Sequence, residues 1–364
     1  MDFPRTVEEI TPEWLTQVLR ESGAIARARV ESFKVSNVGD SAGVAGLVSR
    51  LELAYDIVEP EAPTSVIIKQ AVADGETRAL VAPMNHIEVQ FYKHLAVSSG
   101  VRTPRSYFSD GEEESGYAAH VFEDMSGLRS VNQADDIDVG DARAALEMLA
   151  GMHARWWNSP QLSEYPWLRR WDSPPVIEWI NDIYAKNLEG FFKVGSDRIP
   201  DGIEKIVRDL EPTMVELLTS FARQPVTLVH GDFKPANLFF DDSGHATEVV
   251  AFDWSNAGCS KAAVDLAHFI GLGFSTETRR THELKLLTDY HDALVDLGVS
   301  NYSFDQFIEH FRLGLLIRLP FRMTVIASMG KNMTSTDEGR KTFHSMIDRL
   351  QTLIDWNCDE VIPK

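Results

Sequence analysis

Val229-His230-Gly231-Asp232-Phe233-Lys234-Pro235-Ala236-Asn237, with Phe252-Asp253-Trp254 further along the chain, is the stretch on which the reading of this sequence turns. Apolar residues around it predict short strands at Val226 to Val229, Leu238 to Phe240 and Glu248 to Phe252, which leaves the polar residues on the turns between them. Alone, His230-Gly231-Asp232 would be a tight turn, because glycine and aspartate both favour turns. Asn237 and Asp253, following in order, change that reading. Phosphoryl transfer needs one carboxylate to orient an attacking hydroxyl and accept its proton. It also needs further oxygens to hold the magnesium ions that neutralise the phosphates. Asp232, Asn237 and Asp253 supply that set.

Upstream, Ser65-Val66-Ile67-Ile68-Lys69 reads as a strand ending in a lysine, and Glu88 lies on a helix predicted over Pro83 to Ser98. Each would be an ordinary surface charge by itself. Placed before the Asp232 stretch, a lysine that steadies phosphates and a helical acid that holds the lysine make a functional pair. Gly39-Asp40-Ser41-Ala42-Gly43-Val44-Ala45-Gly46 precedes a strand through Leu47, Ser49, Leu51, Leu53 and Tyr55. Its glycines allow a backbone to approach phosphates closely, although the spacing is not that of a protein-kinase glycine loop. The same residues match Gly-x-Ser-x-Gly, the nucleophile elbow of serine hydrolases. An elbow should open a helix, whereas alternation after Gly46 predicts a strand, so a hydrolase using Ser41 is the weaker alternative.

Strands are also predicted at Ser106 to Asp110 and Tyr117 to Phe122, around an acidic turn. After Glu123-Asp124-Met125 the pattern becomes mainly helical, with helices near 279–297, 305–329 and 337–357 and a kink or break expected at Pro320. Two lobes follow, 1–124 rich in strands and 125–364 rich in helices. Trp156, Trp157, Trp167, Trp171 and Trp179, five of the eight tryptophans, fall in one span. A helical subdomain packing its own core is the first explanation for any single ring. His153, on the apolar face of its helix, reads as a hydrogen-bonded core residue.

The 364 residues include 55 acids against 35 lysines and arginines, a formal charge of −20. A field of that sign disfavours nucleic acid and anionic lipid surfaces as partners. Apolar residues make up 44%, enough for a buried core. Cys259 and Cys358 lack the spacing of a zinc or redox site, and a reducing cytoplasm is the expected setting. The opening Met1-Asp2-Phe3-Pro4-Arg5 does not read as a secretory signal, and no apolar run has the length of a membrane span.

With His-Gly-Asp where protein kinases carry His-Arg-Asp, followed by Asn237, Asp253 and Val264-Asp265-Leu266-Ala267, the sequence resembles the aminoglycoside phosphotransferase and choline kinase superfamily. It looks nearest to the ecdysteroid-kinase-like group, over nearly the whole chain. The resemblance implies an α+β, two-lobed protein-kinase-like fold and an ATP-dependent kinase acting on a small-molecule hydroxyl. Asp232 would be the catalytic base, with Lys234 near the transferring phosphate and Asn237 and Asp253 as magnesium ligands. Lys69 and Glu88 would form the phosphate-steadying pair, while Gly39, Ser41 and Gly43 cover the nucleotide. The backbone from Glu123 to Met125 would meet the adenine, and Asp265 would be structural. ATP and Mg2+ are thus the expected cofactors. The tryptophan-rich region would lie over the acceptor pocket, which points to a bulky, partly apolar alcohol rather than an aminoglycoside. A catalytically silent nucleotide-binding scaffold is the other alternative.

Overall fold

A computed structural model describes residues 2–37, 46–132, 135–195, 198–328 and 336–364. Gly39, Ser41 and Gly43, expected to cover the nucleotide, lie outside the described residues. The chain divides into two units: Met1–Arg129 with Val250–Asn256, and Ser130–Val249 with Ala257–Lys364. A segment from the second half of the sequence thus belongs to the first unit.

In the first unit, helix α1 (Pro12–Glu21) begins as its sequence dictates. The Thr11 hydroxyl accepts from the Trp14 N–H, proline occupies the first turn and Glu13 sits at the positive end of the helix dipole. Strands β1 (Val30–Asn37), β2 (Gly46–Tyr55) and β3 (Ser65–Ala71) follow. After helix α2 (Gly75–His94) come β4 (Ser106–Glu112) and β5 (Tyr117–Glu123). The five strands form one antiparallel sheet in the order β1-β2-β3-β5-β4. Its core gathers Leu15, Val18 and Leu19 of α1 with Val30, Leu51, Val66, Ile68 and Val121 of the sheet. Each fully buried side chain of this kind contributes about 1.5–3 kcal/mol.

Helix α2 differs from expectation. It starts at Gly75 and carries Pro83 inside it, because the Asp74 carboxylate caps the helix by accepting from the Thr77 N–H at 2.7 Å. Burial of Val81, Ile87 and Phe91 along the same helix outweighs the one hydrogen bond that proline forfeits.

The second unit is mainly helical. It opens on the two-residue β6 (Arg129–Ser130), which starts at the unit boundary, and continues through α3 (Val139–Arg155), β7 (Arg169–Arg170), α4 (Pro174–Gly195), α5 (Ile203–Leu210) and α6 (Met214–Phe221). The short strands β8 (Thr227–Val229), β9 (Leu238–Asp241), β10 (Glu248–Ala251) and β11 (Gly258–Ser260) come next. The chain closes with α7 (Ala263–Gly273), α8 (Thr276–Asp296), α9 (Phe304–Ser328), α10 (Asp337–Asp348) and α11 (Gln351–Asp355). Strands β7, β11 and β8 form a small sheet.

Helix α9 packs against both α4 and α7 and runs through Pro320 without ending. A proline inside a helix costs about 3 kcal/mol, and burial of Leu315, Leu316, Ile317, Leu319 and Met323 offsets it. Gly314 makes the contact with α7 close, since a Cβ there would lie 2.8 Å or less from backbone, at 2.7 Å from the Ala263 carbonyl. The last predicted helix is two, with the break near Arg349 and Leu350. Among the described residues, no helix is long and apolar enough to cross a membrane.

Candidate active site

Strand β8 delivers His230, Gly231 and Asp232 into a turn that only a few residue types can make. Gly231 has φ 77, in the left-handed region where a Cβ is disfavoured. The turn is held from below by Asp265, fully buried in the first turn of α7, whose carboxylate accepts from the backbone N–H groups of His230 at 2.7 Å and Gly231 at 2.8 Å. His153 Nε2 lies 3.4 Å from the same carboxylate, and its Nδ1 pairs with the Tyr290 hydroxyl at 2.7 Å. Burial opposes the charge on Asp265, but His153 and the backbone donor of His230 outweigh it and lower its pKa. His153 is the satisfied core histidine its helical position predicts.

Asp232 itself is partly exposed. Its Oδ2 accepts from the Asn237 amide at 3.0 Å and lies 2.9 Å from Lys234 Nζ. The Asn237 amide nitrogen also donates to the Asp232 carbonyl at 2.9 Å. That nitrogen is thus committed twice toward Asp232, which leaves the amide oxygen as the free acceptor end of the side chain. On the other side of the carboxylate, Oδ1 lies 3.4 Å from His268 Nδ1 and 3.6 Å from Arg318 Nη2.

Arg318, on α9, donates through Nη1 to the Gly231 carbonyl at 2.7 Å and through Nη2 to His268 Nδ1 at 2.6 Å. Guanidinium cannot accept, so His268 Nδ1 is the acceptor and its proton sits on Nε2. Burial first, then the charges of Arg318 and Lys234, hold the His268 pKa well below its ordinary value. Sequence reasoning missed both residues. His268 lies three residues beyond Asp265 on the same helix, and Arg318 is a lone charge within Leu315-Leu316-Ile317-Arg318-Leu319-Pro320. A charge in so apolar a run signals a buried partner.

The first unit holds a second cluster. Lys69 pairs across the sheet with Val48 and His120. Its ammonium meets the Glu88 carboxylate at 2.8 and 2.7 Å and Asp253 Oδ1 at 2.9 Å. Burial works against the charge on Lys69, but Asp253 and Glu88 overcome it and raise its pKa. Glu88 is 1% exposed, and burial, only partly offset by Lys69, pushes its pKa up. Asp253 stands at φ 63, a left-handed conformation that aspartate adopts more readily than most residues. Trp254 anchors it, stacked on Phe91 of α2 with ring centroids 4.0 Å apart and its indole N–H donating to the Ala251 carbonyl. The Ser255 hydroxyl donates to Asp253 Oδ1 at 3.0 Å.

After β5, Asp124 is no idle linker acid. Its carboxylate accepts from Ser65 Oγ, Arg50 Nε and the Ser126 N–H at 2.5, 2.6 and 2.9 Å. Burial opposes the charge, but these donors prevail and bring its pKa down to about 2. Glu123 pairs with the Arg105 backbone in both directions, and the buried Met125 accepts from the Leu128 N–H.

Lys69, Glu88 and Asp253 thus come together in one unit, and Asp232, Lys234 and Asn237 in the other. The sequence profile of the ecdysteroid kinase-like family matches residues 42–300. The chain belongs to that family. No curated protein matches it by sequence. Among solved structures, it is similar to the choline kinase of Cryptosporidium parvum Iowa II, at 10% identity and a TM-score of 0.57, over 97% of this chain and 98% of that one. The Plasmodium vivax ethanolamine kinase shares 12% identity, with a TM-score of 0.53 over 93% of this chain and 87% of that one. An aminoglycoside 2'-phosphotransferase in complex with GDP gives 12% identity and a TM-score of 0.50 over 93% and 98%. At these identities the likeness concerns the fold. That fold is the expected kinase-like α+β class.

Buried histidines set how this ecdysteroid kinase-like chain responds to acid. His120, beside Lys69, Glu88 and Tyr92, is pushed down to about 3, by burial first and then by Lys69. His310, paired with the Tyr302 hydroxyl, is pushed down to about 4 by burial. An unfolded histidine takes up its proton near 6.5, so between that pH and about 4 the unfolded chain binds more protons and stability falls as pH falls. At pH 5 the loss is about 2 kcal/mol for each of the two. The urea midpoint is therefore expected to be lower at pH 5 than at pH 7, and His120→Gln should narrow the difference. Equal midpoints would mean that the folded protein protonates these rings freely.

Proposed function

We propose that this ecdysteroid kinase-like chain transfers the γ-phosphoryl group of ATP to a hydroxyl of a small molecule. The observation that carries the reading is the carboxylate of Asp232. It is partly exposed, bonded to Asn237, flanked by Lys234, and borne on a turn that Asp265 and Arg318 hold from both sides. Such a carboxylate can receive the proton of an alcohol as the new O–P bond forms and the bond to the β-phosphate oxygen breaks, releasing ADP. Lys234, 2.9 Å from that carboxylate, would meet negative charge growing on the transferring group. In the first unit, Lys69 is kept charged by Glu88 and Asp253, as a lysine that steadies the nucleotide phosphates must be. As the family resemblance implies, the backbone of Glu123 to Met125 would take the adenine.

Asp253 and the Asn237 amide oxygen are the hard oxygen donors that fit Mg2+, and the metal, when bound, would neutralise phosphate charge. The solved structures of similar fold are named as kinases of choline and ethanolamine and as an aminoglycoside phosphotransferase complexed with GDP, which supports a small hydroxylated acceptor. The test is ADP release from Mg-ATP across a panel of alcohols. Release that depends on one class of alcohol, with the label of [γ-32P]ATP recovered on it, is expected. Nucleotide binding without transfer to any alcohol would instead indicate a silent scaffold.

A further inference from the structure

We propose that Oδ1 of Asp232 is the oxygen that takes the proton of the acceptor alcohol, and that Arg318 keeps it free by holding the His268 ring in the tautomer that cannot donate to it. This rests on the kinase reading and deepens it, making Arg318 a positioning residue that acts through His268. Every group involved belongs to the second unit. The two oxygens of the carboxylate are differently engaged. Oδ2 accepts from the Asn237 amide at 3.0 Å and has the Lys234 ammonium at 2.9 Å. A carboxylate oxygen offers about two lone-pair sites, so those partners fill it. Oδ1 is left to an incoming hydroxyl. His268 Nδ1 stands 3.4 Å from it and Arg318 Nη2 3.6 Å, both farther than an ordinary N–H···O bond.

Without Arg318, His268 would fill that oxygen. The ring is buried with Nδ1 toward the carboxylate, and an imidazole beside an anion puts a proton on the nearer nitrogen. Arg318 prevents this. Its Nη2 donates to His268 Nδ1 at 2.6 Å, and a guanidinium has only donors, so that nitrogen stays unprotonated and the proton goes to Nε2. The same guanidinium donates to the Gly231 carbonyl at 2.7 Å, which ties the ring and the catalytic turn to one group. Helix packing sets its reach. His268 lies on α7 and Arg318 on α9. At Gly314, four residues before Arg318, a Cβ would stand 2.7 Å from the Ala263 carbonyl and 3.2 Å from the Ala267 Cβ, so α9 comes this close to α7 because glycine is there. The alcohol then meets Oδ1 with its O–H. Its proton passes to Oδ1 as the new O–P bond forms and the bond to the β-phosphate oxygen breaks.

The test is the tautomer of His268, read by long-range proton–nitrogen NMR correlation on the full chain with isotope-labelled histidine nitrogens and no nucleotide. The His268 signal is the one missing from His268→Leu. The native ring is expected to carry its proton on Nε2 alone. In Arg318→Met, Nδ1 should become protonated, kcat for the alcohol that supports ADP release should fall ~10–100-fold, and the KM for ATP should stay within about twofold. Combining Arg318→Met with His268→Leu should recover most of that fall, which a merely structural role for Arg318 would not allow. A native ring protonated on Nδ1, an Arg318→Met spectrum like the native one, or a double variant no faster than Arg318→Met would overturn the proposal. The native spectrum decides even where a variant does not fold. Because the spectra need no turnover, the two readings fail separately. An Nδ1 proton in the native chain beside phosphorylated alcohol would leave the kinase and sink the role of Arg318, whereas the expected spectra without transfer to any alcohol would sink the kinase and, with it, the part given to Oδ1.

Discussion

Asp232→Asn is expected to lower kcat by ~10³-fold, within the 10²–10⁴ range of general acid–base catalysis, while Mg-ATP binding stays within about twofold. Asparagine has the same shape, and its side-chain oxygen can still accept from Asn237 and Lys234, so the loop and the phosphate-facing groups should survive. What it cannot do is take a proton from the alcohol. That interaction grows toward the transition state, so its loss falls on turnover rather than on binding. Turnover of the acceptor alcohol, read beside nucleotide affinity, separates the two. Unchanged turnover would remove Asp232 from the chemistry, and a matched loss in both quantities would assign it to the fold.

The second large effect concerns Asp253. With Mg-ATP at a hundredfold excess over its dissociation constant, the native chain should gain ~2.7 kcal/mol, about 2–4 °C in the unfolding midpoint of a protein this large. Asp253→Ala should abolish that rise, because the variant loses the carboxylate that would meet the metal and that holds Lys69 at 2.9 Å. The variant should still fold, since Lys69 keeps Glu88 and Trp254 keeps its stack on Phe91. An equal rise in both proteins would place the nucleotide elsewhere, and no rise in either would remove the chief support for a kinase.

Much of this was legible because the deciding signals are local. Thr11, Pro12 and Glu13 specify a helix start by themselves, and alternation in Leu47 to Tyr55 specifies a strand. The order Lys69, Glu88, Asp232, Asn237, Asp253 could be read from chemistry before any geometry. The misreadings lie where distant packing overrules local preference. Pro83 read as a helix start and Pro320 as a kink or break because proline lacks a donor, yet both stay inside helices whose apolar faces are buried. Arg318 and His268 were overlooked because what makes them notable, proximity to Asp232, comes from residues far away in sequence. Nothing in the sequence marks the Asp124 side chain, since only the fold brings Arg50 and Ser65 to it.

The short segment Val250–Asn256 has a consequence for how the protein must be made. It completes the first unit, supplying the Trp254 ring that covers Phe91 and the carboxylate that reaches Lys69. During synthesis from the N-terminus, the strand-rich unit therefore waits, with one aromatic face uncovered and one lysine short of a counter-charge, until more than a hundred further residues have left the ribosome. Its loop-closure entropy is that of a long chain rather than of a small sheet. The part of the protein written first is among the last to be finished.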